Sequence, residues 1–184
     1  DIGNLNLPGF EMEITTKDDV PIFHKPFNLG SVRNQQVTHS IKEYVKLGIL
    51  EPGMSDYGNP VFLVKTKGEH GEAERTRLVI DYRHLNLKTV KDKFPLPVMQ
   101  TLLNDLQGND FYTLLDVKSA FLSVPLSKKT NHKAALVTPG GLYLPLRIQM
   151  GLSNSPAHFS RIIKAILEPC SEYATLFMDD IIIH

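Results

Sequence analysis

The sequence predicts an α+β fold, and three observations carry that expectation. Segments of helical spacing and segments of strand character are interleaved along the 184 residues without the regular strand–helix–strand rhythm of a parallel α/β protein. Apolar residues make up 42% and charged residues 22%, which suits one domain or two small lobes with a real core. No internal repeat or low-complexity stretch interrupts the chain, so repeat architectures are excluded.

Each element follows from its own residues. Residues 1–33 show little periodicity and carry Pro8, Pro21 and Pro26, so they read as an extended, loop-rich lead-in. A helix is expected from about Asn34 to Leu47, where Val37, Ile41, Tyr44, Val45 and Ile49 recur near helical spacing and Gly48 suits the C-terminal cap. "NPVFLVKT" reads as a strand, "KGEHGEAER" as a polar loop and "TRLVIDY" as the returning strand, a hairpin with a long charged tip. "PVMQTLLNDLQG" is a short helix with Pro97 in its first turn, Leu102, Leu103 and Leu106 as its stripe and Gly108 as its end. "FYTLLDVKSAFLSVPL" is a strand that runs into a tighter element, and "NHKAALVTPGGLYLPLRIQ" is two strands joined by Pro139-Gly140-Gly141. The clearest helix is "NSPAHFSRIIKAILEP": Ser155 as cap, Pro156 in the first turn, and Phe159, Ile162, Ile163, Ile166 and Leu167 along one face. "YATLFMDDIIIH" closes the chain as two short strands with a bend at the carboxylates.

Charge and composition narrow the function. Lys+Arg and Asp+Glu number 20 each, so nucleic-acid binding would need a local basic surface rather than bulk charge. The single Cys170 excludes a disulfide framework and a cysteine-rich zinc site, and fits a reducing, intracellular setting. The seven histidines show no ligand-like spacing, and the apolar runs are too short to span a bilayer. The chain opens on Asp1 and stops at His184 within a strand-like run, so it is expected to be a piece of a longer polypeptide.

The chemistry concentrates in two apolar strands. Asp179 and Asp180 stand side by side between Leu176-Phe177-Met178 and Ile181-Ile182-Ile183. Two carboxylates roughly 4 Å apart repel by about 1 kcal/mol in water and about 4 kcal/mol at an intermediate dielectric. A wet hairpin turn would tolerate that, but such a turn ordinarily carries Gly or Asn, and neither is here. Asp116 likewise ends an apolar strand, in "YTLLDVKSAF". If the strands are neighbours, three carboxylates converge, and divalent cations resolve the repulsion. Mg²⁺ is the hard ion that binds carboxylates together with substrate phosphates, and a pair of such ions clamps in-line phosphoryl transfer.

On these residues the chain resembles the reverse transcriptases. "FMDD" is similar to their Y-x-D-D box, and "LLDVKSAF" to the strand bearing their first aspartate. "PIFHKPFNLG", "VKLGILEPGMSDYGNPVFLVKTK", "RLVIDYRHLNLKTVKDKFPLP" and "MGLSNSPAHF" resemble, in order, successive blocks of retroviral and especially gypsy-type retrotransposon polymerases. The resemblance implies right-hand polymerase fingers over residues 1–93, lead-in included, and palm over residues 94–184, with an antiparallel palm sheet packed on helices. It implies an RNA-directed DNA polymerase, a nucleotidyltransferase within a polyprotein. Its metal ligands would be Asp116, Asp179, Asp180 and the carbonyl of Val117. Two Mg²⁺ ions, or Mn²⁺ as substitute, would serve there.

The same resemblance assigns nucleotide-binding roles. Arg77 matches the triphosphate-binding arginine, with Lys65 or Lys67 as the accompanying lysine, because Thr66 holds the usual lysine position. Phe121 matches the aromatic that packs beneath the sugar, with Ala120 leaving room before it; ordinary core packing is the competing reading of that ring. Met150 and Gly151 match the segment under the templating base pair. Met150 departs from the Gln or Phe usual there, Phe177 replaces the usual Tyr, and the fingers loop is longer and lacks the aromatic before Arg77. The implied partners are an RNA or DNA template with primer, dNTPs, and the thumb, connection and ribonuclease H domains of the parent polyprotein. Dimerisation is compatible and a membrane is not involved. The implied setting is cytoplasmic, including virus-like particles, and the piece alone would be weakly active for want of a thumb. The competing reading is a non-catalytic, domesticated nucleic-acid-binding module of the same family.

Overall fold

Among the described residues, two sheets and four α-helices form the fold. The structure is a computed structural model that describes residues 9–66, 75–95 and 99–184. The larger sheet holds β1 (Leu50–Pro52), β2 (Asn59–Thr66), β3 (Arg75–Ile80), β5 (Leu136–Thr138) and β6 (Gly141–Pro145), in the order β1-β6-β5-β2-β3. Its pairings are antiparallel except β2 with β5, which is parallel. The smaller sheet is wholly antiparallel: β4 (Thr113–Asp116), β8 (Asp180–Ile183) and β7 (Ala174–Phe177), with β8 in the middle. The larger sheet draws strands from both sides of residue 93, so the fingers–palm division is not a division between sheets.

α1 (Ser31–Lys46) begins three residues ahead of the expected Asn34, after Gly30 at φ 79°. Its end is the predicted one. Gly48, at φ 68°, donates to the Val45 carbonyl, and the Ile49 N–H donates to that of Tyr44. That pair of bonds is a Schellman closure, which requires a left-handed residue and so favours glycine. α2 (Arg83–Lys88) is short, polar and absent from the sequence expectation. α3 (Met99–Asp105) buries Leu102 but leaves Leu103 about half exposed, at 51%, so the expected three-leucine stripe is only partly used. The expected start of that helix at Pro97 lies outside the described residues.

α4 (Ser155–Leu167) carries the densest apolar face. Phe159 and Ile162 are fully buried and join one core with Val37 and Ile41 of α1, Val61 of β2 and Ile80 of β3. Removing a side chain such as Phe159 from water contributes about 1.5–3 kcal/mol. The expected cap is corrected: Asn154, not Ser155, occupies the N-cap position, and no side chain caps the helix. The Ser155 hydroxyl donates instead to the Gln149 carbonyl. The lead-in is less loose than its prolines suggest, since Met12 and Ile14 are buried in the same core. Among the described residues no helix is long and apolar enough to cross a membrane.

Candidate active site

The smaller sheet places the aspartates. In antiparallel pairing Asp116 of β4 lies directly opposite Asp180 of β8, and Phe177 of β7 flanks Asp180 on the other side. Opposed residues project to the same face with Cβ atoms about 4.5–5.5 Å apart. The alternate residues Leu176 and Ala174 of β7 are buried on the opposite face, whereas β4 is exposed along its whole length, and the carboxylates stand on the face away from Leu176 and Ala174. Asp179 occupies the hairpin tip after Met178, a non-glycine residue held at φ 57°. The Val117 N–H donates to the Asp179 carbonyl at 3.4 Å, which ties the chain after Asp116 to that tip. Asp116 and Asp179 are exposed and Asp180 is half-buried.

This arrangement brings the three carboxylates to one edge without setting them as a finished ligand group. Among the described residues no set of three or more His, Cys, Asp or Glu side chains is arranged to hold a metal. The donor chemistry nevertheless suits a hard divalent ion. These are oxygen ligands, they face solvent, and among the described residues none is occupied by an ion pair. The Val117 carbonyl accepts from the Ala120 N–H at 3.2 Å, which leaves one of its two lone pairs open.

Beyond Asp116 the strand ends abruptly. Ser119 adopts φ 54° and a 3-10 turn follows over Ala120–Ser123. Such a break is what regular alternation would need if Asp116 and Phe121 are to address one site. Ala120 is buried; the half-buried Phe121 meets Phe159 edge-to-face at 5.7 Å and 73°.

The hairpin of β2 and β3 carries two of the expected phosphate-binding residues. Arg77 is exposed and pairs with Val64, whereas Lys65 pairs with Thr76. Neighbouring register positions alternate faces, so Lys65 and Arg77 project from opposite faces of the hairpin. Lys67 lies outside the described residues. Met150 is exposed at 65%, and Gly151 adopts φ 92°. A Cβ on Gly151 would meet its protein neighbours at ordinary distances of 3.7–3.8 Å, so within the chain it is the backbone conformation that favours glycine.

Sequence reasoning missed the polar framework behind these residues. The Asp81 carboxylate takes a two-pronged bond from Arg83 at 2.9 and 2.7 Å, which holds it down to about 2. Between them Tyr82 is buried, and its hydroxyl donates to the Ala134 carbonyl at 3.0 Å. Asp92 meets Arg161 at 2.7 Å, and Arg161 stacks over Phe94. Asn86 and Asn154 bond backbone far away in sequence. The "DYRHLN" and "GLSN" stretches offered polar residues but no periodicity that would name their partners.

A cross-strand carboxylate pair thus stands on one face of the small antiparallel sheet, at the edge that the Asp179 hairpin shares. Residues 64–184 match the family described as "Reverse transcriptase (RNA-dependent DNA polymerase)", and the chain belongs to that family. It is 32% identical over 171 residues to the retrovirus-related Pol polyprotein from transposon 297 of Drosophila melanogaster, covering 92% of this chain and 16% of that polyprotein. Its identity to the corresponding polyprotein from transposon gypsy of the same species is 31% over 172 residues, covering 92% and 17%. Among solved structures, the foamy viral protease-reverse transcriptase in complex with RNA/DNA hybrid superposes with a TM-score of 0.84 at 20% identity, covering all of this chain and 24% of that one. The fold is thus that of reverse transcriptase fingers and palm. The chain spans about one sixth of the length of these two polyproteins.

Proposed function

We propose that this chain is the fingers–palm portion of an RNA-directed DNA polymerase carried within a gypsy-type Pol polyprotein. The observation that carries the reading is the register of Asp116 against Asp180, with Asp179 tied to the same edge. Asp116, Asp179, Asp180 and the Val117 carbonyl would hold two Mg²⁺ ions, or Mn²⁺ in their place. When bound, the ions supply activation of a primer 3′-OH and neutralisation of the triphosphate charge. The protein's own part is placement. The hairpin lays Arg77, a planar fork suited to phosphate oxygens, on one face. The 3-10 turn sets Phe121 at the edge of the core, where its ring would exclude a ribose 2′-OH. Met150 and Gly151 would lie under the templating pair.

The partners that follow are a primed RNA or DNA template, dNTPs and the remaining thumb, connection and ribonuclease H domains, with dimerisation compatible. Fingers over 1–93 and palm over 94–184 belong to the same proposal, as does a cytoplasmic setting in virus-like particles, which the lone free Cys170 suits. The reading is tested by counting Mn²⁺ bound to a polymerase containing this chain, assembled with primer–template and dNTP. Paramagnetic resonance should find two ions in the wild type and fewer with Asp116→Asn. Equal occupancy in the two proteins would remove Asp116 from the metal site.

A further inference from the structure

The loop that carries Met150 and Gly151 is stitched to the segment after β3 by two asparagines acting in opposite directions. Asn86, in α2, donates from Nδ2 to the Gly151 carbonyl at 2.7 Å, and its Oδ1 accepts the Ser153 N–H at 2.8 Å. Asn154, at the far end of the loop, donates from Nδ2 to the Val90 carbonyl at 2.8 Å and accepts the Asp92 N–H at 3.2 Å. Each side chain spends one donor and one acceptor on the other's backbone, across 62 to 67 positions of sequence. Only an amide offers both functions in one plane at that length. A carboxylate at Asn86 would face the Gly151 carbonyl with no proton between them, and an apolar isostere would leave both backbone groups unmatched.

The consequence concerns what the loop can do. Gly151 at φ 92° gives the loop no side-chain restraint of its own, and Met150 projects into solvent. Ile148 and Leu152 anchor the loop in the core on either side, and the stitch adds the polar tie that sets Met150–Gly151 between them. With it, the loop is fixed to α2, which follows within three residues of β3, the strand bearing Arg77. We propose that Asn86 is a positioning residue for the incoming nucleotide, holding Met150–Gly151 at a set distance from the Arg77 hairpin. This rests on the function proposed above, because it takes Met150–Gly151 to lie against the nucleotide. A surface that is displaced but not part of the reacting groups weakens ground-state and transition-state binding alike, which raises KM and leaves kcat.

The test compares Asn86→Ala and the near-isosteric Asn86→Asp with the wild type in a polymerase that contains this chain. Single-nucleotide incorporation gives kcat and the dNTP KM, a separate titration gives the primer–template Kd, and thermal unfolding reports the fold. Both variants should raise the dNTP KM about tenfold while kcat and the primer–template Kd stay within about twofold. Amide exchange at Ser153 should accelerate in Asn86→Ala and stay slower in Asn86→Asp, which keeps the acceptor. A wild-type dNTP KM in Asn86→Asp with an intact fold would overturn the proposal. So would a dNTP KM and a primer–template Kd that rise together, the mark of general loosening. A wild type that incorporates nothing would instead overturn the polymerase reading, and this inference with it.

Discussion

Phe121 is where packing and selectivity compete at a single side chain. Its ring lies edge-on to Phe159 at 5.7 Å, yet it remains half-buried at the end of a turn that begins next to Asp116. An aromatic pair of this kind adds about 0.5–1.5 kcal/mol beyond area burial. Replacing Phe121 with Val keeps an apolar body against Phe159 while shortening the exposed edge. In a polymerase containing this chain, Phe121→Val should raise ribonucleotide incorporation by about tenfold or more with deoxynucleotide use within about threefold, as expected when one steric contact is removed from a pocket. Parallel loss of both activities and of stability would make the ring a packing residue only. At this scale the sequence was informative wherever a residue type carried its own constraint. Two adjacent aspartates in an apolar strand demand an explanation, and Gly48 demands a left-handed cap. Asn86 was illegible because its partners are backbone groups 65 and 67 positions away, which no local pattern encodes.

The junction between β3 and α2 shows how an element is fixed by a few polar contacts. Asp81 is nearly buried and is bonded by both the side chain and the backbone N–H of Arg83, which holds its carboxyl down to about 2. An unfolded aspartate titrates near 3.9. The folded carboxyl therefore stays ionised at lower pH than the unfolded one. Its contribution is complete above about pH 4 and is lost as the pH falls toward about 2. Asp81→Asn should lower the unfolding midpoint near neutrality by a few degrees and flatten its dependence on pH between about 4 and 2, as measured by thermal melts across that range. An unchanged acid limb would remove the pair from the stability of the junction. The short pieces here also mark the limit of reading by pattern. β1 is three residues long and exists through its pairing with β6; α2 is six residues long with only Leu85 buried. Neither is long enough to display a period. The longer α4 displays one plainly and was legible apart from its cap and Ile166, which was expected on the apolar face and is 41% exposed.

Across the whole molecule, the smaller sheet is buried at β7 and bare at β4. β4 is the outer strand of its sheet, and Leu114 and Leu115 are 65% and 45% exposed, with Phe111 beside them at 87%. An uncovered apolar edge invites association with other chains, so the chemistry is best measured in a longer polymerase that includes this segment. The central claim is that the edge shared by Asp116, Asp179 and Asp180 is where phosphoryl transfer occurs. Its most direct test is single-nucleotide extension of a DNA primer on an RNA template by such a polymerase, wild type beside Asp180→Asn, with primer–template affinity measured on the same preparations. Loss of a metal-holding carboxylate removes several kcal/mol of transition-state stabilisation, so kcat should fall by about 10³-fold or more while primer–template affinity stays within about threefold. An Asp180→Asn enzyme that extends the primer within tenfold of the wild-type rate would contradict the account.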